Sequence, residues 1–169
     1  MQETDIITRC RNGELTGYRL LYQRYAAPLL HTGLRMLKDE QDAEDAVQIT
    51  FIRVYRHLGT FRGESGFATW LFRIHMRVCF DMLKKRKRSG ADPLTGEHGA
   101  PAPDYDLSLA LQKGIELLPS QQKACFILYA VEGFKQREIA EILNIRTGTV
   151  KAHICHAKKR LRDLLIKEE

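Results

Sequence analysis

Apolar residues in this chain recur at three- and four-residue steps almost throughout, and that spacing limits the fold more than any other feature. Leu15, Tyr18, Leu21, Tyr22 and Tyr25 form one series, and Val47, Phe51, Val54, Tyr55 and Leu58 another. Such steps return to one face of a helix with about 3.6 residues per turn, whereas a half-buried strand alternates. No segment shows convincing strand alternation, and there is no internal repeat. The period breaks at "SGADPLTGEHGAPAPDYD", Ser89 to Asp106, where Pro93, Pro101 and Pro103 interrupt any helix. It resumes over Leu107–Leu117, Ser120–Val131, Lys135–Leu143 and Thr147 to about Lys167. The expectation is an all-α protein. Two small helical domains, residues 1–88 and 107–169, are joined by a flexible linker at 89–106.

The chain has 169 residues, 44% of them hydrophobic, which suffices for packed cores of this size. Its formal net charge of +6 points to an anionic partner, either nucleic acid or an acidic membrane surface. No apolar run approaches the about 18 residues that span a bilayer, so no stable membrane insertion is expected. The polar, acidic start "MQETDIITRC" lacks the pattern of a signal peptide, and the expected location is cytoplasmic. Cys10, Cys79, Cys125 and Cys155 lie far apart and form no CxxC pair, which fits reduced thiols.

The C-terminal block "KQREIAEILNIRTGTVKAHICHAKKRLRDLL" has the marks of a helix-turn-helix. Small Ala140 permits close approach of a second helix. Asn144 sits where the chain must turn and tolerates the left-handed conformation. Thr147 is a candidate cap for the next helix. Val150, Ile154, Ala157, Leu161 and Leu164 make one apolar stripe of that helix. Thr149, His153, His156 and Arg160 lie opposite, with Lys151, Lys159 and Arg162 at the margins. A helix of this kind can enter a major groove while its cations hold phosphate; the plainer reading is an amphipathic helix with a solvated basic face.

"GESGFATWLFRIHMRVCFDMLKKRKR", Gly63 to Arg88, sorts into two adjoining faces of one helix. Phe67, Leu71, Ile74, Val78 and Met82 form an apolar arc. Trp70, Arg73, Arg77, Phe80, Lys84 and Arg88 form an aromatic–cationic arc beside it. The second arc suits opened DNA, because cations follow the backbone while rings and guanidinium planes stack with unpaired bases. Trp70 lies at the edge of both arcs, where it either joins that surface or completes the core. "FRGESGF" just upstream is a glycine-containing loop able to form a pocket for an extruded base. Earlier still, Asp42, Asp45 and Gln48 share one edge of a helix with an acidic start, while Val47, Phe51 and Tyr55 face elsewhere. That edge reads as a protein-docking face or as ordinary helix-start chemistry.

In order, these segments resemble the extracytoplasmic-function (group IV) RNA polymerase sigma factors of bacteria. The likeness runs through "LYQRY", "DAEDAVQITFIRVYRHL", "FRGESGFATWLFRI" and "KKRKR", then the proline-containing break, then "LPSQQKACFILYAVEGF" and the helix-turn-helix. It covers nearly the whole chain and implies sigma regions 2 and 4 without region 3. The resemblance implies that Asp42, Asp45, Gln48 and Phe51 dock on core RNA polymerase. It implies that Phe61 to Phe67, with Arg62 and Ser65 between them, form the loop receiving a flipped base of the −10 element. The helix from Trp70 to Arg88, with Arg73, Arg77, Phe80 and Lys84, would read and melt that element. Thr147, Thr149, Lys151, His153, His156, Lys159 and Arg160 would lie in the −35 recognition helix. The partners implied are core polymerase, promoter DNA that is duplex at −35 and opened at −10, and an anti-sigma factor. The family commonly carries Asn at Arg77, a small hydroxyl residue at Ala152, Arg at His153 and His156, and Glu at Ile49.

His75 and Cys79 lie one turn apart, and His153, Cys155 and His156 crowd one turn. Neither set completes four ligands locally, so neither a metal nor any other cofactor is expected. No nucleophile–base set or phosphate loop indicates a catalytic centre. The rival to a sigma factor is a free-standing helix-turn-helix regulator, which needs neither the acidic edge nor the aromatic–cationic helix.

Overall fold

The computed structural model describes residues 2–90 and 109–167. Among these residues there are α-helices and one short 3-10 turn, and no strand. The order is α1 (Glu3–Arg11), α2 (Leu15–Leu37), α3 (Glu40–His57), the 3-10 turn Leu58–Thr60, α4 (Phe67–Arg88), α5 (Leu109–Glu116), α6 (Ser120–Ala130), α7 (Gln136–Leu143) and α8 (Thr147–Lys167). They divide into two compact units, α1–α4 and α5–α8. Of the expected linker, residues 91–106 lie outside the described residues.

In the first unit, α2 and α3 form an antiparallel hairpin closed by its two caps. Lys38 takes the left-handed conformation at φ 57° and donates its N–H to Leu34 O at 2.9 Å. Asp39 then starts α3 by accepting the Asp42 N–H at 2.8 Å. Gly33 lets the helices close: a Cβ placed there would meet the Ala43 Cβ at 3.4 Å. Gly17 does the same for α1, since a Cβ there would sit 2.7 Å from the Cys10 backbone nitrogen. Leu21, Leu29, Leu37, Val54 and Leu71 are wholly buried in the shared core. Each such side chain contributes roughly 1.5–3 kcal/mol of transfer free energy.

One polar group lies inside this core. His75 is fully buried, with Nδ1 2.9 Å from Thr50 Oγ1 and Nε2 3.7 Å from Cys79 Sγ. The Thr50 hydroxyl in turn donates to Ala46 O at 2.7 Å. Burial pushes the imidazole down to about 4, against a smaller opposing effect from a backbone hydrogen bond at Leu29.

The second unit is built on Ile127, Leu128, Ile139, Ile142 and Val150, all buried. Asn144 ends α7 at φ 54° and ψ 49°, the left-handed turn that its side chain tolerates. The start of α8 differs from expectation. The N–H groups of Thr149 and Val150 both reach Arg146 O, at 2.9 and 3.1 Å. Arg146 therefore occupies the cap position expected of Thr147, and Thr147 is the first helical residue.

Candidate nucleic-acid and partner interfaces

α4 carries both expected arcs, but its buried face is wider than the apolar spacing gives. Phe67, Leu71 and Val78 are buried, with Ile74 and Met82 half-buried; Phe72, His75, Met76 and Cys79 are buried as well. On the second arc Arg77, Lys84 and Arg88 are exposed, and Arg73 and Phe80 half-exposed. Trp70 is only 8% exposed, its ring centroid 5.4 Å from Phe61 and 5.6 Å from Phe67. Of the two readings open for Trp70, the structure takes the core one.

The loop before α4 has a buried stem and an exposed tip. Phe61 and Phe67 are 8% and 2% exposed, and their rings meet edge-on at 5.4 Å. Both rings are turned inward, so of the loop's residues it is those between them that stand toward solvent. Burying both rings together with Trp70 and Tyr25 is worth more than exposing them. Tyr25 stands 5.7 Å from Phe67, and its hydroxyl donates to the Glu3 carboxylate. Burial, reinforced by that carboxylate, pushes the phenol well above its usual range. The Phe61 N–H donates to Leu58 O at 3.1 Å, and the Arg11 guanidinium donates to Phe61 O. The tip is left outward, with Arg62 and Glu64 exposed, Ser65 half-exposed and Gly63 turning at φ 76°.

The five cations of "KKRKR" do not act alike. Lys84, Lys85, Lys87 and Arg88 are exposed. Arg86 folds back, donating to Leu37 O at 2.6 Å and pairing with Asp42. This alters the acidic edge too. Asp45 and Gln48 are exposed, whereas Asp42 is half-buried and engaged within its own domain. Gln41, Asp45, Gln48, Ile52 and Tyr55 follow one another at four- and three-residue steps, and all are exposed. The stripe is acidic and polar toward the start of α3 and apolar toward its end.

Beside it runs an aromatic strip that spacing alone did not separate from the core. The rings of Tyr18 and Tyr55 meet at a tilt across α2 and α3, centroids 5.0 Å apart, as do those of Tyr22 and Phe51 at 4.9 Å. Tyr55 is 62% exposed and Tyr22 50%, with exposed Leu15 at the end of the strip. Sequence periodicity placed these residues in the same series as Leu21, Tyr25, Val47 and Val54, which are buried. A stripe wider than the contact it makes leaves its margin uncovered.

On α8, Val150, Ile154, Ala157 and Leu161 are buried, and Leu164 half-buried. Thr147, Thr149, Lys151, His156, Lys159, Arg160 and Arg162 are exposed. His153 is half-buried. Its Nδ1 is enclosed without a hydrogen-bond partner among the described residues. Lys158 lies over the Tyr129 ring, 4.8 Å from its centroid. Of the thiols, Cys10, Cys79 and Cys125 are buried and Cys155 is exposed; burial pushes Cys79 and Cys125 up to about 12. Among the described residues no cluster of three or more His, Cys, Asp or Glu is placed to hold a metal.

Residues 21–89 match the family model for sigma-70 region 2, and residues 108–161 that for sigma-70 region 4. The chain is similar to the RNA polymerase sigma-H factor of Pseudomonas aeruginosa, at 28% identity over 95% of this chain and 92% of that one. It is also 28% identical to the extracytoplasmic-function sigma factor SigW of Bacillus subtilis, over 94% of each chain. The chain belongs to the extracytoplasmic-function sigma factors.

Solved structures share the fold of this sigma factor. RpoE in complex with the anti-sigma factor NepR, from Bartonella quintana, superposes with a TM-score of 0.72 at 25% identity, covering 88% of this chain and 98% of that one. CnrH in complex with the cytosolic domain of CnrY gives a TM-score of 0.76 at 22% identity over 97% of each chain. The sigma factor directs RNA polymerase to promoters and so takes part in transcription initiation. A free-standing helix-turn-helix regulator would leave the region 2 match of α2–α4 without a purpose. α1 precedes the segment matched to region 2. No helix among the described residues is long and apolar enough to cross a membrane.

Proposed function

We propose that the two units divide the work of initiation as follows. The exposed stripe of α3, with Asp45 and Gln48 at its acidic end and Phe51 nearby, docks on core polymerase. Asp42 contributes through the hairpin it helps to hold. The tip Arg62–Ser65 receives a flipped base of the −10 element. Arg73, Arg77, Phe80, Lys84 and Arg88 follow the opened strand. In region 4, Thr147, Thr149, Lys151, His153, His156, Lys159 and Arg160 read the −35 duplex. The domain limits 1–88 and 107–169 follow this division.

The observation that carries the reading is the separation of surfaces within one unit. The first turns of α3 are acidic and the exposed margin between α2 and α3 is aromatic, whereas a cationic surface runs along α4. Polyanionic DNA is repelled by the acidic start of α3 and drawn to the cations of α4. The protein is a non-catalytic specificity subunit, acts in the cytoplasm and is held by an anti-sigma factor. The exposed aromatic strip supports that last point, because an uncovered apolar strip beside a docking edge suits more than one partner. Runoff transcription on a genomic fragment library tests the whole. Purified protein with core polymerase is expected to initiate at a discrete promoter set that core alone does not use. Equal transcription without the protein rejects the reading.

A further inference from the structure

The short helix α1 lies outside the matched region 2 segment, yet it touches both ends of the loop assigned to the flipped base. At the entry, Arg11 donates to the carbonyl of Phe61, whose ring packs against Phe67 and Trp70. At the exit, Phe67 packs against Tyr25, and the Tyr25 hydroxyl is held by Glu3 at the other end of α1. α1 is seated closely enough on α2 to require glycine at position 17. We infer that α1 is a positioning element for promoter opening, with Arg11 as its positioning residue, fixing the stem from which residues 62–66 present their base-contacting groups. This rests on the reading of that loop as the base-receiving one.

The physical argument is one of freedom removed. The tip carries Gly63 at φ 76° and Gly66, with Arg62 and Glu64 exposed and Ser65 half-exposed, so little of it is held against the core. Base discrimination needs groups held within a fraction of an ångström. The stem is therefore where that order has to come from. Leu58 O holds the peptide before Phe61 by accepting its N–H at 3.1 Å, and Arg11 holds the peptide after it by donating to the Phe61 carbonyl. A charge-assisted bond to a carbonyl is stronger than a neutral one and directional. Without Arg11 the Phe61 carbonyl turns toward water and the entry to the loop swings with it.

The test uses the full chain with core polymerase and a promoter found by runoff transcription with the parent. The probes are single-stranded oligonucleotides bearing its non-template −10 sequence and the single-base changes at each position. Fluorescence anisotropy gives the affinity for each strand, and thermal melting gives stability. Arg11→Ala is expected to weaken the preferred strand about tenfold, the scale of one lost charged hydrogen bond. The ratio between preferred and changed strands should fall at one position of the element. Arg11→Lys, which still donates to a carbonyl, should keep most of that ratio. A loss of folded protein lowers all affinities together and leaves the ratio intact. An unchanged ratio in Arg11→Ala, with or without a lower melting temperature, therefore overturns the inference. If Arg11→Ala does not fold, Arg11→Lys and Tyr25→Phe are compared instead, and parental ratios in both overturn it. A parent whose strand affinity depends on the bases at other positions but not on contact with Arg62–Ser65, judged by Ser65→Ala and Arg62→Ala, overturns the reading of the loop itself.

Discussion

Arg86, near the end of α4, is paired with Asp42 in the first turn of α3, and the same guanidinium donates to Leu37 O at 2.6 Å. One side chain thus ties α4 to both arms of the α2–α3 hairpin. The side chains of the pair are 19% and 31% exposed, so solvent screens it less than a surface pair. Arg86→Ala is expected to destabilise the α1–α4 unit by about 1–3 kcal/mol. Trp70 is the only tryptophan of the chain, so denaturation followed by its fluorescence reads this unit alone. A midpoint equal to that of the parent would show that the clasp carries no stability.

Docking is best tested away from that clasp. Asp45 is exposed and takes part in no ion pair among the described residues. Asp45→Arg is expected to weaken binding to core polymerase about tenfold, by placing like charge against a basic surface, while leaving the Trp70 melting curve in place. Titration of labelled protein with core measures this. An affinity equal to the parent's rejects the docking role of the stripe.

Arg77 is exposed in the middle of the cationic face, between Arg73 and Phe80. Arg offers a bidentate fork and a stacking plane that Asn lacks. Arg77→Asn should change which −10 bases are tolerated. Arg77→Ala should slow opening several-fold with little effect on binding of the −35 duplex, a loss on the scale of one base or phosphate contact. Permanganate footprinting on a promoter series reads both, and parental opening with parental preferences leaves Arg77 a surface cation only.

His75 makes the stability of region 2 sensitive to acid. Its imidazole titrates near about 4 in the fold against 6.5 in the unfolded chain. Above 6.5 neither state holds the extra proton, and stability is at its full value. As pH falls from 6.5 toward 4 the unfolded state binds the proton first, and stability is lost, by up to about 3 kcal/mol. The urea midpoint followed by Trp70 should drop across that window in the parent and drop less in His75→Gln. Equal slopes would remove His75 as the cause.

What the sequence made legible was what is local. Helical spacing places α2, α3 and α4, and Asn144 marks the α7–α8 turn, because each depends on neighbours within a turn or two. Arg86 could not be told from Lys84 or Lys87, since its partners Asp42 and Leu37 are adjacent only in the folded hairpin. The aromatic margin of α2 and α3 was hidden for a related reason: spacing gives the width of an apolar stripe, not how much of it a neighbour covers. That the rings of Phe61 and Phe67 point inward is likewise a matter of packing, set by Tyr25 and Trp70.

The buried stem beneath residues 62–66 has a consequence for descent. Phe61, Phe67, Trp70 and Tyr25 hold their places through contacts with one another and with α1, while Arg62, Glu64 and Ser65 stand outward. Substitutions at the tip therefore escape the purifying pressure that folding exerts on the rings below. A lineage can try new tips on an old socket and, if the tip reads promoters as proposed, a paralogue can drift toward a different set of genes without first passing through an unstable ancestor.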